Sequence, residues 1–141
     1  MHTQSLSGTK YFLILIEQFT GYTTTKFLKK KEETFAAFKE YKALSENFHQ
    51  RKIMKIVSDG GGEFFNDRFK EYARIEGFEH SISPPYTPEH NGISERGNRL
   101  ILEKARCLML QSKLTDKFWA EATSTTTFLL NVAPKRDKLS L

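Results

Sequence analysis

Apolar residues along this chain follow two different rhythms. Tyr11-Phe12-Leu13-Ile14-Leu15-Ile16 is a continuous aromatic and aliphatic run, too short for a helix, and predicts a buried strand. Thr20-Gly21 marks a turn, and the Thr-rich stretch Tyr22 to Leu28 predicts a second strand folding back as a hairpin. Over residues 32–48 the spacing becomes helical. Phe35, Phe38, Lys42 and Phe48 fall around a helix, with Ala36, Tyr41 and Leu44 expected to fill an apolar face. Ile53 to Val57 is the next strand. Asn66 reads as the N-cap of a helix carrying Phe69, Tyr72, Ala73 and Ile75, and Gly77 as its stop. Phe78 to Ile82 predicts a short strand, followed by a proline-rich loop over 84–92. A long helix is expected from about Ile93 to Gln111, with Ile101, Ala105 and Leu108 on one face. Asp116 is placed as the cap of a last helix holding Phe118, Trp119, Ala122, Phe128 and Leu129. The order β-β-α-β-α-β-α-α predicts an α/β fold with a mixed sheet flanked by helices.

Composition narrows the class. A chain of 141 residues, 38% hydrophobic and 13% aromatic, is that of one folded domain with a real core. Its net charge of +5 favours an anionic partner, a statement about association and not about fold. The only cysteine, Cys107, excludes a disulfide framework within these residues, and packing is its ordinary role. His2, His49, His80 and His90 do not pair at zinc-ligand spacing, and His49 and His80 give no reason for a role. The apolar run at 11–16 is too short to cross a bilayer. Gly60-Gly61-Gly62 is no phosphate loop, because no Gly-Lys-Ser/Thr follows.

Two acids stand out. Asp59 ends the run Ile53-Met54-Lys55-Ile56-Val57-Ser58 and is followed by three glycines, which permit a tight backbone. Glu95 follows the proline-rich loop and is expected in the first turn of its helix, where the helix dipole favours a carboxylate. Each alone is ordinarily a cap or a surface residue. Together they are the type of ligand that a hard divalent cation takes, since Mg²⁺ is bound through one or two carboxylates with room left for water and phosphate. From Glu95 the same helix face continues through Asn98, Arg99, Leu102 and Arg106, with polar and basic groups suited to a nucleic-acid backbone. Lys29-Lys30-Lys31 reads as a solvated turn, and the loop 84–92 either touches a partner or stiffens a connection.

Four blocks carry a resemblance. Tyr11 to Thr20, Ser58-Asp59-Gly60-Gly61-Gly62-Glu63-Phe64, Pro85 to Arg96 and Phe118-Trp119-Ala120-Glu121-Ala122 resemble the integrase catalytic core of copia-type retrotransposons, in the family's order and over nearly the whole chain. The resemblance implies an RNase H-like fold and a three-acid metal site whose last two acids are separated by 35 residues, as Asp59 and Glu95 are. It implies Mg²⁺ or Mn²⁺ as cofactor, and DNA integration by strand transfer between element ends and target DNA. Tyr86, His90 and Asn91 in the loop, with Asn98 and Arg99 on the helix, become candidates for DNA contact. A homo-oligomer, a nuclear location after a cytoplasmic particle stage and no membrane partner are further expectations.

Departures from the family pattern temper that picture. The family's first acid lies on a strand upstream of the Tyr-Phe block, and Met1 to Lys10 contain no Asp or Glu. The first strand is therefore expected to be missing with its acid. That leaves weak metal binding by Asp59 and Glu95 and little strand transfer by these residues alone. Glu17-Gln18 stands where the family shows Asp-Asp, and Gly60 where it shows Asn. A non-catalytic nucleic-acid-binding or assembly module, or a decayed fragment, are the competing expectations.

Overall fold

The structure, a computed structural model, describes residues 4–58, 66–82 and 88–133, with residues 82 and 88–95 described by their backbone alone. The elements are β1 (Tyr11–Ile16), β2 (Thr23–Leu28), α1 (Thr34–His49), β3 (Lys55–Ser58), α2 (Asp67–Glu76), β4 (Glu79–Ile82), α3 (Pro88–Ser112) and α4 (Trp119–Val132). Short 3₁₀ turns, Lys31–Glu33 and Asp116–Phe118, precede α1 and α4. Both pairing types of a mixed sheet occur, β1 with β2 antiparallel and β3 with β4 parallel, as two two-stranded sheets among the described residues. The chain divides into two compact units, Met1–Lys29 with Ile93–Leu141, and Lys30–Gly92.

In the first unit, the hairpin of β1 and β2 runs in register from Tyr11 opposite Leu28 to Ile16 opposite Thr23. Trp119, at the start of α4, is its central buried side chain, and the rings of Phe12 and Phe27 each lie 6.0 Å from it. The buried face of α4 is otherwise small and hydroxylic: Ala120, Ala122, Thr123, Thr126 and Thr127. Thr123 donates to the Trp119 carbonyl at 2.7 Å and Thr127 to the Thr123 carbonyl at 2.9 Å, which satisfies hydroxyls that would otherwise be costly inside. Asn131 finishes the packing like a strand neighbour. Its amide accepts from the Thr23 N–H at 2.9 Å and donates to the Thr23 carbonyl at 2.7 Å. Ile101 and Ala105 bury the inner face of α3. Gly97 of α3 faces β1: a Cβ there would stand 2.5 Å from Ile16 Cδ1, the end of a side chain that would have to turn aside.

The second unit is a β3–α2–β4 crossover covered by α1. Its core is aromatic: Phe38 stacks 5.3 Å from Phe69 and 6.0 Å from Phe78, and Phe69 lies 6.0 Å from Phe78. Such pairs contribute roughly 0.5–1.5 kcal/mol each beyond their buried area. The caps of α2 are those expected. Asn66 Oδ1 accepts from the Phe69 N–H at 2.8 Å, and Gly77 closes the helix at φ 80°, a conformation glycine adopts without a Cβ penalty.

The apolar face expected on α1 fails in part. Leu44 is 60% exposed and Ala36 is exposed too, so they do not form its packed face, and Phe48 farther along the helix is also exposed. The inward row is Thr34, Phe38 and Lys42, each four residues from the last, and Leu44 lies about 240° round the helix from Phe38. Lys42 is a buried cation, and its ammonium donates to Glu46 at 2.7 Å and to Glu76 at 3.1 Å, joining α1 to α2. Burial alone would lower its pKa, but the bonds to Glu46 and Glu76 outweigh that and hold it above 10.5. Burial pushes Glu46 upward, and its bonds from Lys42 and from the Ile53 N–H bring it below its ordinary 4.5. No helix among the described residues is long and apolar enough to cross a membrane.

Candidate functional site

The long helix α3 carries most of the predicted site. It begins at Pro88, five residues before the expected start at Ile93. A proline at the first helical position has its φ already set and needs no N–H partner, so a proline-rich stretch can open a helix as well as form a loop. His90 and Asn91, expected in the loop, therefore lie in the first turn of α3. Glu95, expected in that first turn, is the eighth residue of the helix. The dipole argument for Glu95 is thereby lost, because that field acts only within the terminal turn. Asn98 and Arg99 are exposed, one turn beyond Glu95 on the same helix. Asp59 and Tyr86 lie outside the described residues.

The outward face of α3 is cationic. Arg96, Arg99, Lys104 and Arg106 are all exposed, with Glu103 among them, while Ile101 and Ala105 face inward. Arg99 lies about 200° round the helix from Ile101, the inward-facing position. Cys107, expected in packing, is exposed instead, since it is about 200° from Ala105. Charge is shared unequally between the units. Met1–Lys29 with Ile93–Leu141 has 12 Lys and Arg against 6 Asp and Glu, net +6, whereas Lys30–Gly92 has 10 against 11, net −1. Lys29, Lys30 and Lys31 are exposed, as a solvated turn requires.

One polar pair escaped the sequence reading. Across the parallel strands, Ser58 Oγ, on the last residue of β3, is hydrogen-bonded at 2.8 Å to Nε2 of His80, the second residue of β4. The His80 ring packs edge-on against Phe69, centroid to centroid 4.8 Å. Burial lowers the His80 pKa below 6.5, and the charge of Lys70 lowers it further, so the neutral imidazole is favoured. The available signal was a Ser closing one strand of a β-α-β unit with a His inside the other, on positions that share a sheet face. Among the described residues no group of three His, Cys, Asp or Glu side chains is placed to hold a metal ion.

A family model described as an integrase core domain matches residues 2–88. The chain belongs to the integrase core domain family. Its relatives include the retrovirus-related Pol polyprotein from transposon TNT 1-94 of Nicotiana tabacum, 38% identical over 134 residues that make up 95% of this chain and 10% of that protein. The Pol polyprotein from transposon RE2 of Arabidopsis thaliana is 37% identical over 92% of this chain and 9% of its own length. The chain thus spans about a tenth of the curated relatives it matches. These relatives bear out the copia-type resemblance of the four blocks.

Solved integrases share the fold. The HTLV-2 integrase catalytic core domain in complex with magnesium, in its trimeric form, superposes with a TM-score of 0.64 at 20% identity, over 89% of this chain and 76% of that one. A chain of the simian T-cell lymphotropic virus intasome in complex with PP2A regulatory subunit B56 gamma gives a TM-score of 0.69 at 15% identity, over 95% of this chain and 46% of that one. The integrase core is RNase H-like, the α/β class expected from the order of its elements.

Proposed function

We propose that this integrase core serves, within a longer polyprotein, in joining retrotransposon DNA ends to target DNA. The observation that carries the reading is the continuity of α3. One helix presents His90, Asn91, Glu95, Asn98 and Arg99 in sequence, with Asn98 and Arg99 exposed. In this reading Asp59 and Glu95 supply carboxylates for Mg²⁺ or Mn²⁺. Two hard oxygen donors are the chemistry such ions take, and the described residues offer no competing donor set. The bound ion supplies charge stabilisation for phosphodiester transfer, with water or a 3′-hydroxyl as nucleophile. Arg99 and Asn98 hold a phosphate backbone by charge and hydrogen bond, and Tyr86, His90 and Asn91 meet the DNA strand beside it. The magnesium named with the HTLV-2 core supports the choice of ion. The dimeric and trimeric forms of that core support a homo-oligomer. Action on target DNA would take place in the nucleus.

Residues 1–141 bring two of the three acids the reaction class uses. Two carboxylates offset about half of the charge of two divalent ions. We therefore infer little strand transfer by these residues alone, and activity when a further acid is supplied. The test is a metal-dependent strand-transfer assay on this chain and on a longer polyprotein segment, each with Asp59→Asn. The reading requires product from the longer segment that Asp59→Asn abolishes; product indifferent to that change overturns it. A second reading, a nucleic-acid-binding module without chemistry, draws on the net +6 of the unit that contains Arg99. It predicts DNA affinity unchanged by Asp59→Asn and no product from either form.

A further inference from the structure

We propose that the α1–α2 surface of the crossover unit is a docking site for an acidic peptide segment of a partner protein. Two exposed cations share one aromatic bed there. The Arg68 guanidinium lies over the Phe35 ring, 4.3 Å from its centroid. The Lys39 ammonium is 5.2 Å from the same centroid and 5.5 Å from that of Tyr72. Phe35 and Tyr72 are half-buried and meet edge to face at 5.3 Å. Each also touches a fully buried ring, Phe35 that of Phe69 and Tyr72 that of Phe38. The core therefore fixes the bed, and the ring faces hold both cations on it.

Neither cation is neutralised within the unit. Arg68 and Lys39 form no ion pair or hydrogen bond with the described residues. Glu71, one turn from Arg68, is engaged by Arg74 at 2.5 Å, and Glu46 and Glu76 by Lys42. Two like charges beside one ring repel each other, and a carboxylate set between them is attracted by both. A guanidinium stacked on a ring keeps its N–H edge open to a carboxylate. The surroundings select the kind of anion. Residues 30–92 carry 10 Lys and Arg against 11 Asp and Glu, so no extended positive field draws a nucleic-acid strand, whose affinity grows with the number of phosphates neutralised. Two cations suffice for a short acidic segment. Ile75, 65% exposed and on the same face of α2 as Arg68 and Tyr72, adds an apolar contact. The partner that fits is a peptide with carboxylates beside an aliphatic side chain.

The test is fluorescence anisotropy of the 141-residue chain with labelled probes: a short peptide of interspersed Glu and Leu, its counterpart with Gln for Glu, and oligo(dT). Circular dichroism first establishes that each variant is folded. The acidic peptide is expected to bind and its Gln counterpart to fail. Arg68→Ala should weaken binding by about tenfold, and Lys39→Ala by about threefold. Arg74→Ala, which removes the same charge from the same helix where Glu71 already pairs with it, should leave binding unchanged. Should Arg68→Ala fail to fold, Arg68→Gln, which keeps an aliphatic stem and loses the charge, decides in its place. No binding of the acidic peptide by the parent, equal binding of the Gln counterpart, or equal losses from Arg74→Ala and Arg68→Ala overturns the docking site. Oligo(dT) bound in preference to the peptide, and lost with Arg68→Ala, overturns the acidic peptide as occupant and makes the surface a nucleic-acid contact.

Discussion

The two units solve the same problem, burying polar groups, by different means. The hairpin unit, with β1, β2, α3 from Ile93 onward and α4, buries neutral groups: Ser5, Thr9, Thr23, Thr123, Thr126 and Thr127, with Asn131 half-buried. The crossover unit of α1, β3, α2 and β4 buries one hydroxyl, Thr34, and adds ionisable groups: Lys42 fully, Glu46 and His80 in part. On the outside the contrast reverses. The hairpin unit carries the net +6, and the crossover unit is near neutral. A core of hydroxyls and amides is indifferent to pH, and a cationic surface is sensitive to salt. A core held by an ammonium and a carboxylate has the reverse sensitivities, since buried pairs are little screened.

The largest test of that contrast is Glu46→Ala. It removes one of two carboxylate partners of buried Lys42 and the acceptor of the Ile53 N–H. A loss of about 2–4 kcal/mol is expected, because a buried charge is left half-paired. Hydrogen exchange should report the loss in Lys30–Gly92 and spare the slow amides of β1 and β2.

Thermal melts against pH come next. His80 is depressed below 6.5, so its contribution is whole above that value and declines as pH falls beneath it. Glu46 is depressed below 4.5, so its share is present above 4.5 and is lost as pH falls through its lower folded value. Lys42 is raised above 10.5, so its share is present below 10.5 and goes as pH climbs past its folded value. Exchange protection in the hairpin unit that falls as steeply with acid as that of the crossover unit would erase the distinction.

On the surface, Arg99→Ala is expected to lower duplex DNA affinity several-fold and to reduce the slope of log affinity against log salt by about 1, measured by fluorescence anisotropy. A matching change at Arg74, which pairs with Glu71 at 2.5 Å in the crossover unit, should do neither. The smallest effect concerns Thr126, whose buried hydroxyl has no hydrogen-bond partner among the described residues. Thr126→Val keeps the shape and removes the orphan, and should stabilise by about 1 kcal/mol in a denaturant melt. A destabilisation there would mean that the hydroxyl is satisfied after all.

Local signals were legible wherever short-range chemistry decides. Asn66 and Gly77 bound α2 as their cap preferences dictate, and the run at 11–16 forms β1 with its limits as expected. Misreadings arose where a residue type serves two structures. Pro88 opens a helix instead of ending a loop, which moved Glu95 from the first turn to the third. On α1, Leu44 and Phe48 share the spacing of a packed face, yet the buried row runs through Phe38 and Lys42. Hydrophobicity names the candidates for an inner face, and only the neighbouring α2 selects among them.

By itself the sequence determined the alternation of strands and helices, the family, and the residue types available for chemistry, because these rest on periodicity, caps and motif order within short stretches. Tertiary structure alone decided that Lys42 is an interior cation, that Cys107 faces outward and that Ser58 meets His80 across 22 residues of chain. Each of those depends on which side chains are brought together by folding, and a contact between distant residues leaves no mark on the spacing of either one.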